Sequence, residues 1–141
     1  MKRNLLESVR LIPYAPNDTV NRLGALSAVF AISALGAAPG AIAKVTVAHC
    51  ETESGTYTDV VDKRIFLNST VVEKDGNGNF VRSNVFIPIE AGDLVNVDID
   101  LVGCKEFVKI NVEYVDDSGA AVTATTEYAL CLGDFTVNPP A

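Results

Sequence analysis

The chain has 141 residues, 48% of them apolar, with six Phe, four Tyr and no Trp. A single domain of this length buries about 68% of its unfolded surface, so it can hold a core without disulfide or metal staples, and the apolar share excludes a disordered chain. Eighteen acidic against eleven basic residues give a net charge of −7, spread without a block of one sign, which argues against nucleic acid and anionic lipid as partners.

Residues 1–22 place the apolar Leu5, Leu6, Val9, Leu11 and Ile12 ahead of the first clear core strand. They read as an amino-terminal arm, and these five residues are the candidate contacts to a partner or a second copy. The same residues also suit an ordinary first strand packed on its own sandwich. Residues 4–10 are the one stretch that could form a helix.

Residues 23–43 carry no charge over 21 positions, long enough to span a membrane. Gly24, Gly36, Pro39 and Gly40, with abundant Ala and Ser, argue against that reading. A signal peptide is equally awkward, since Pro13, Pro16 and Asp18 precede the segment. The Gly36-Ala-Ala-Pro39-Gly40 breaker instead divides it into a hairpin. Its first arm, residues 25–35, is a nearly continuous apolar run suited to a strand covered on both faces. Its second, residues 41–50, alternates Ile42, Lys44 and Thr46 with Ala43, Val45 and Val47.

A polar loop then leads to strands over residues 57–61 and 65–72. Lys74-Asp-Gly-Asn-Gly-Asn79 is the strongest turn signal, because Gly and Asn accept the positive φ of tight turns, and residues 80–89 return from it. Residues 94–101 alternate Val95, Val97, Ile99 and Leu101 against Asn96, Asp98 and Asp100. Residues 107–115 repeat the pattern, Asp116-Asp-Ser-Gly119 turns the chain, and residues 121–132 form the last strand. Seven or eight strands separated by turns predict an all-β fold, an antiparallel two-sheet β-sandwich or jelly roll over residues 23–135, with a tail over 136–141.

Catalytic patterns are weak. His49 is the only histidine, and its neighbour Cys50 points to the opposite face of a strand, so the two cannot form a nucleophile–base pair. His49 reads as a sheet-edge or surface residue. No nucleophile elbow, phosphate loop or dinucleotide fingerprint occurs. Cys50, Cys104 and Cys131 are odd in number and widely spaced, which predicts reduced, buried thiols, although one disulfide with one free thiol also fits; they offer no zinc spacing. Asp75, Asn77 and Asn79 mimic the start of a calcium loop, but Phe86 stands where the bidentate Glu belongs, so a hairpin turn is preferred. Asp98 and Asp100, about 7 Å apart along one strand face, could pair with Glu113 as hydrolase carboxylates, yet they occupy the regular wet positions of an alternating strand. Asn68-Ser-Thr70 matches a glycosylation sequon by pattern only. The expectation is a non-enzymatic protein without cofactor or metal.

Three phrases between Leu23 and Pro140 carry a resemblance. The apolar hairpin leads through a polar segment into Thr58-Asp59-Val60; Gly103-Cys-Lys-Glu-Phe107-Val108 opens the second member of a strand pair; and Leu132-Gly133-Asp134 precedes Pro139-Pro140. In this order the chain resembles the small auxiliary capsid proteins of tailed bacteriophages, called decoration, cement or head-stabilising proteins. It departs from them in Cys50-Glu51, where an acidic or Ser-Asp-Asp turn is common, and in its longer amino-terminal arm. The resemblance implies a structural virion protein on the capsid exterior, present in host cytoplasm before assembly. It would bind the major capsid protein, self-associate into a small homo-oligomer, and reinforce the expanded shell by bridging neighbouring capsomers.

The competing expectation is a carbohydrate-binding or adhesion sandwich. Such modules stack sugar rings on rows of Trp or Tyr, and the absence of Trp weighs against it.

Overall fold

A computed structural model of the chain describes residues 9–22, 24–67 and 70–133. Among them there is no helix; ten strands form two packed sheets, as the alternating patterns require. In chain order these are β1 (Val9–Pro13), β2 (Thr19–Asn21), β3 (Ser27–Ala37), β4 (Ile42–Cys50), β5 (Thr58–Asp59), β6 (Val71–Lys74), β7 (Phe80–Pro88), β8 (Leu94–Asp100), β9 (Phe107–Val115) and β10 (Ala124–Gly133).

One sheet has the order β1-β10-β3-β8. The other runs β2-β9-β4-β7-β6, with β5 paired to the far end of β4. Every pairing is antiparallel. Except for the β4-to-β7 connection, which carries β5 and β6, consecutive strands cross from one sheet to the other. This is a jelly-roll-like sandwich.

The core lies between the inward faces. From the four-stranded sheet come Phe30, Ile32, Val97, Ile99, Leu130 and Leu132; from the other come Val45, Val47, Val85, Val108 and Ile110. Phe30 anchors one region, stacked on Tyr128 at 5.4 Å and edge-on to Tyr14 at 5.7 Å.

Four local readings need correction. The expected hairpin over residues 25–50 does not form: β3 and β4 belong to different sheets. The breaker still turns the chain, with Ala41 N–H donating to the Ala38 carbonyl at 3.1 Å and Gly40 at φ 75°. The reason lies in the faces. Ala28, Phe30, Ile32 and Ala34 are buried, as are Ala43, Val45 and Val47, so each strand has one face to cover, and placing the two strands in opposite sheets turns both faces into the core. Accordingly β3 is not covered on both faces, and Leu35 on its outer side is exposed. Of the possible helix over residues 4–10, Val9 and Arg10 instead begin β1, and the remainder lies outside the described residues. Lastly, His49 is not at a sheet edge: it ends the interior strand β4, between Val108 and Thr58.

Candidate interaction surfaces

The five contact candidates divide. Leu5 and Leu6 lie outside the described residues. Val9 and Leu11 belong to β1, an edge strand, in register with Gly133 and Cys131 of β10. Ile12 pairs with Leu130 and packs partly buried against the core. Thus β1 and β2 of the sandwich fall within the stretch read as an arm, and the tail over 136–141 lies outside the described residues, as does Asn68 of the sequon.

The chemistry-bearing residues are dispersed. Asp98 and Asp100 occupy outward positions on β8, whereas Glu113 is on the outer face of β9 in the opposite sheet, so both sheets separate them. His49 Nδ1 accepts a hydrogen bond from Lys105 N–H at 3.2 Å, and burial first, then Lys105 and Arg22, hold its pKa below the usual value. All three cysteines are free, and only Cys104 is fully buried. Asp75 Oδ1 accepts from Asn77 and Asn79 N–H at 2.8 and 3.0 Å, as in a hairpin turn. Among the described residues no three His, Cys, Asp or Glu groups cluster to hold a metal ion, and no helix is long and apolar enough to cross a membrane.

Two surface features were not expected from sequence. The first is the side of the sandwich where β7 and β8 face each other. β6 pairs β7 only as far as Asn84, and the 65–67 segment covers β8 only at its far end, with Leu67 N–H donating to the Asp98 carbonyl at 3.2 Å. Between these two covers, Val85–Ile87 and Val95–Val97 have no strand partner on their outer side among the described residues. They enclose a crevice of about 230 Å³ lined by Phe66, Val85, Phe86, Ile87, Val95 and Val97, with Asn96 and Asp98 at its rim. Leu94, 70% exposed, begins the β8 edge, and the exposed Leu67 and Val71 belong to the two covering segments. Unpaired strand edges beside an apolar cleft are a template for another extended chain.

The second feature is the outer face of the larger sheet. Arg82 reaches Asp59 Oδ2 and Glu73 Oε1, both at 3.0 Å; Glu73 Oε2 also takes Asn84 Nδ2 at 2.9 Å and Lys44 Nζ at 3.6 Å. The Asn84 hydrogen bond, then Lys44 and Arg82, hold the Glu73 carboxyl below its usual range. Beside this network is a depression of about 230 Å³ lined by Lys44, Thr46, Asp59, Arg82, Asn111 and Glu113.

Both features escaped the sequence reading because each is assembled across strands. The fault-free outward row Lys44, Thr46 on β4 and Asn111, Glu113 on β9 was the available signal, but only the pairing Lys44↔Glu113 and Thr46↔Asn111 turns two rows into one surface. Comparison with protein-family models, curated proteins and solved structures finds no match to this chain.

Proposed function

We propose that this chain is a structural protein that attaches to the outside of a tailed-phage capsid lattice and reinforces it by bridging neighbouring capsomers. The observation that carries the reading is the β7/β8 crevice. An extended segment of the major capsid protein can add as a strand to either free edge, while alternate side chains enter the apolar cleft. Main-chain hydrogen bonds would supply affinity and the cleft selectivity. The sequence resemblance supports the identity of the partner, and the acidic surface favours a basic docking segment.

A ligand that binds only the expanded shell stabilises that shell by mass action. Heating expanded capsids with and without saturating chain tests this directly. The disruption temperature is expected to rise with chain concentration and plateau when sites are full. An unchanged disruption temperature at saturating chain would sink the reading.

A further inference from the structure

We propose that the segment received by the β7/β8 crevice adds antiparallel to the free edge of β8 and carries an apolar–basic–apolar triplet there, its basic residue placed beside Asp98. This inference rests on the crevice being the docking site for the capsid protein and names what that site selects.

The edge is chosen by the main chain. Just outside the ends of β8, the Asp93 carbonyl accepts from Ala34 N–H and Leu101 N–H donates to the Leu26 carbonyl, so the odd-numbered residues bond toward β3. On the other side Leu67 N–H donates to the Asp98 carbonyl and Asp100 N–H to the Ile65 carbonyl, so the even-numbered residues face outward. Leu94 and Asn96 therefore turn both their N–H and both their C=O groups to an edge that no strand covers among the described residues. By the same alternation Ser83 N–H and Ile89 N–H bond to the Val60 and Ala41 carbonyls, which leaves Phe86 and Pro88 on the outer side of β7, beyond the end of β6. Pro88 has no N–H to give, so β8 is the more complete template.

The chain itself sets the phase of the side chains. Residues 65–67 already run antiparallel along the far end of β8, with Phe66 opposite Ile99, buried and lining the crevice, and Leu67 exposed. Residues directly opposite each other in an antiparallel pair share a face. A docked strand in line with 65–67 therefore turns the residues opposite Val97 and Val95 inward, against Val85 and Ile87. A polar side chain there would lose its hydrogen bonds to water, so both are apolar. The residue between them, opposite Asn96, points outward, with Asp98 as its diagonal neighbour at roughly 7–8 Å, within reach of Lys or Arg. Asp98 makes no ion pair among the described residues, and β3 sets the uncharged Val29 and Ala31 beside Asp98 and Asn96.

The probes are blocked pentapeptides with Val-Lys-Val, Val-Glu-Val or Thr-Lys-Thr at their centre, titrated into the full chain and followed by amide-resolved NMR. Val-Lys-Val is expected to shift the Leu94 and Asn96 amides saturably. It should bind about fivefold more tightly than Val-Glu-Val and about tenfold more tightly than Thr-Lys-Thr. Asp98→Lys should reverse the preference between the first two with the rest of the spectrum in place, and Asp98→Asn, close in shape, should bring them within about twofold. No saturable binding of Val-Lys-Val, shifts centred on the Phe86 amide, equal affinity for the three peptides, or an unchanged preference in both variants would each overturn the proposal. Shifts of Leu94 and Asn96 that grow with the chain's own concentration would assign the edge to a second copy and overturn it as well. Co-sedimentation with expanded capsids keeps the two claims apart. Peptide selectivity without capsid binding supports the triplet and removes the capsid protein as its bearer, whereas capsid binding without peptide selectivity overturns the triplet alone.

Discussion

The Tyr14 hydroxyl accepts a hydrogen bond from the Ile110 backbone N–H at 2.8 Å, across 96 residues of sequence, and donates to the Asp18 carbonyl at 2.7 Å. This single phenol joins the β1–β2 connection to the middle of β9. Tyr14 is buried, and its ring meets Phe30 edge-on. Removing the hydroxyl leaves the Ile110 N–H without its buried acceptor. Tyr14→Phe should therefore lower stability by about 1–3 kcal/mol, seen as a lower urea midpoint at unchanged slope.

Burial pushes the Tyr14 phenol from 10.0 up to about 12 and the Cys104 thiol from 9.0 up to about 11. Both shifts favour the protonated form in the folded state. As pH rises past the unfolded values the unfolded chain loses these protons first, so it binds fewer than the folded chain and stability falls. The loss should begin near pH 9 and continue to about pH 12. Tyr14→Phe and Cys104→Ala should each flatten that alkaline limb in urea midpoints measured against pH, even though both variants are less stable at neutral pH.

The acidic limb has the opposite sign. The Glu73 carboxyl is held low by the Asn84 amide, then by Lys44 and Arg82, so its contribution is present above the unfolded carboxyl value near 4.5 and disappears as pH falls below it. Because these side chains are about one-third exposed, Glu73→Gln should cost only about 1 kcal/mol at pH 7. The same variant should show a shallower loss of stability between neutral pH and pH 3.

How far the sequence carries can be judged from particular strands. β8 and β9 were legible because Val95, Val97 and Ile99, and Val108, Ile110 and Val112, alternate with polar neighbours, and period two is a local signal. The Asp75–Asn79 turn was legible for the same reason. The pairing of β1 with β10 was not, since Val9 meets Gly133 and nothing local in either strand encodes the other. The charge-free stretch over 23–43 misled as to hairpin pairing because small Ala and Ser residues fill the outward positions of β3 as readily as inward ones. Of the candidate surfaces, sequence offered apolar residues before the core but not the crevice, which exists only where β7 and β8 come together from different sheets.

Truncation separates the two roles open to the amino-terminal residues. Removing residues 1–8 keeps all of β1 in the chain, and an unchanged melting temperature would assign Leu5 and Leu6 to a role other than packing on the sandwich. Removing residues 1–13 deletes an edge strand with Ile12, and should lower the melting temperature by at least ~5 °C in a thermal scan. If Leu5 and Leu6 contact the capsid, the shorter truncation should weaken capsid binding without that thermal penalty.

The central claim is attachment through the β7/β8 crevice, and co-sedimentation with expanded, undecorated capsids of the cognate phage measures it most directly. Leu94 is exposed and comes one residue before the crevice-lining Val95, so Leu94→Asp should leave stability within about 0.5 kcal/mol. The account predicts saturable binding of the wild-type chain at micromolar concentration, weakened at least tenfold by Leu94→Asp. Absence of wild-type binding at that concentration would contradict attachment itself, and equal binding by the variant would contradict the crevice as its site.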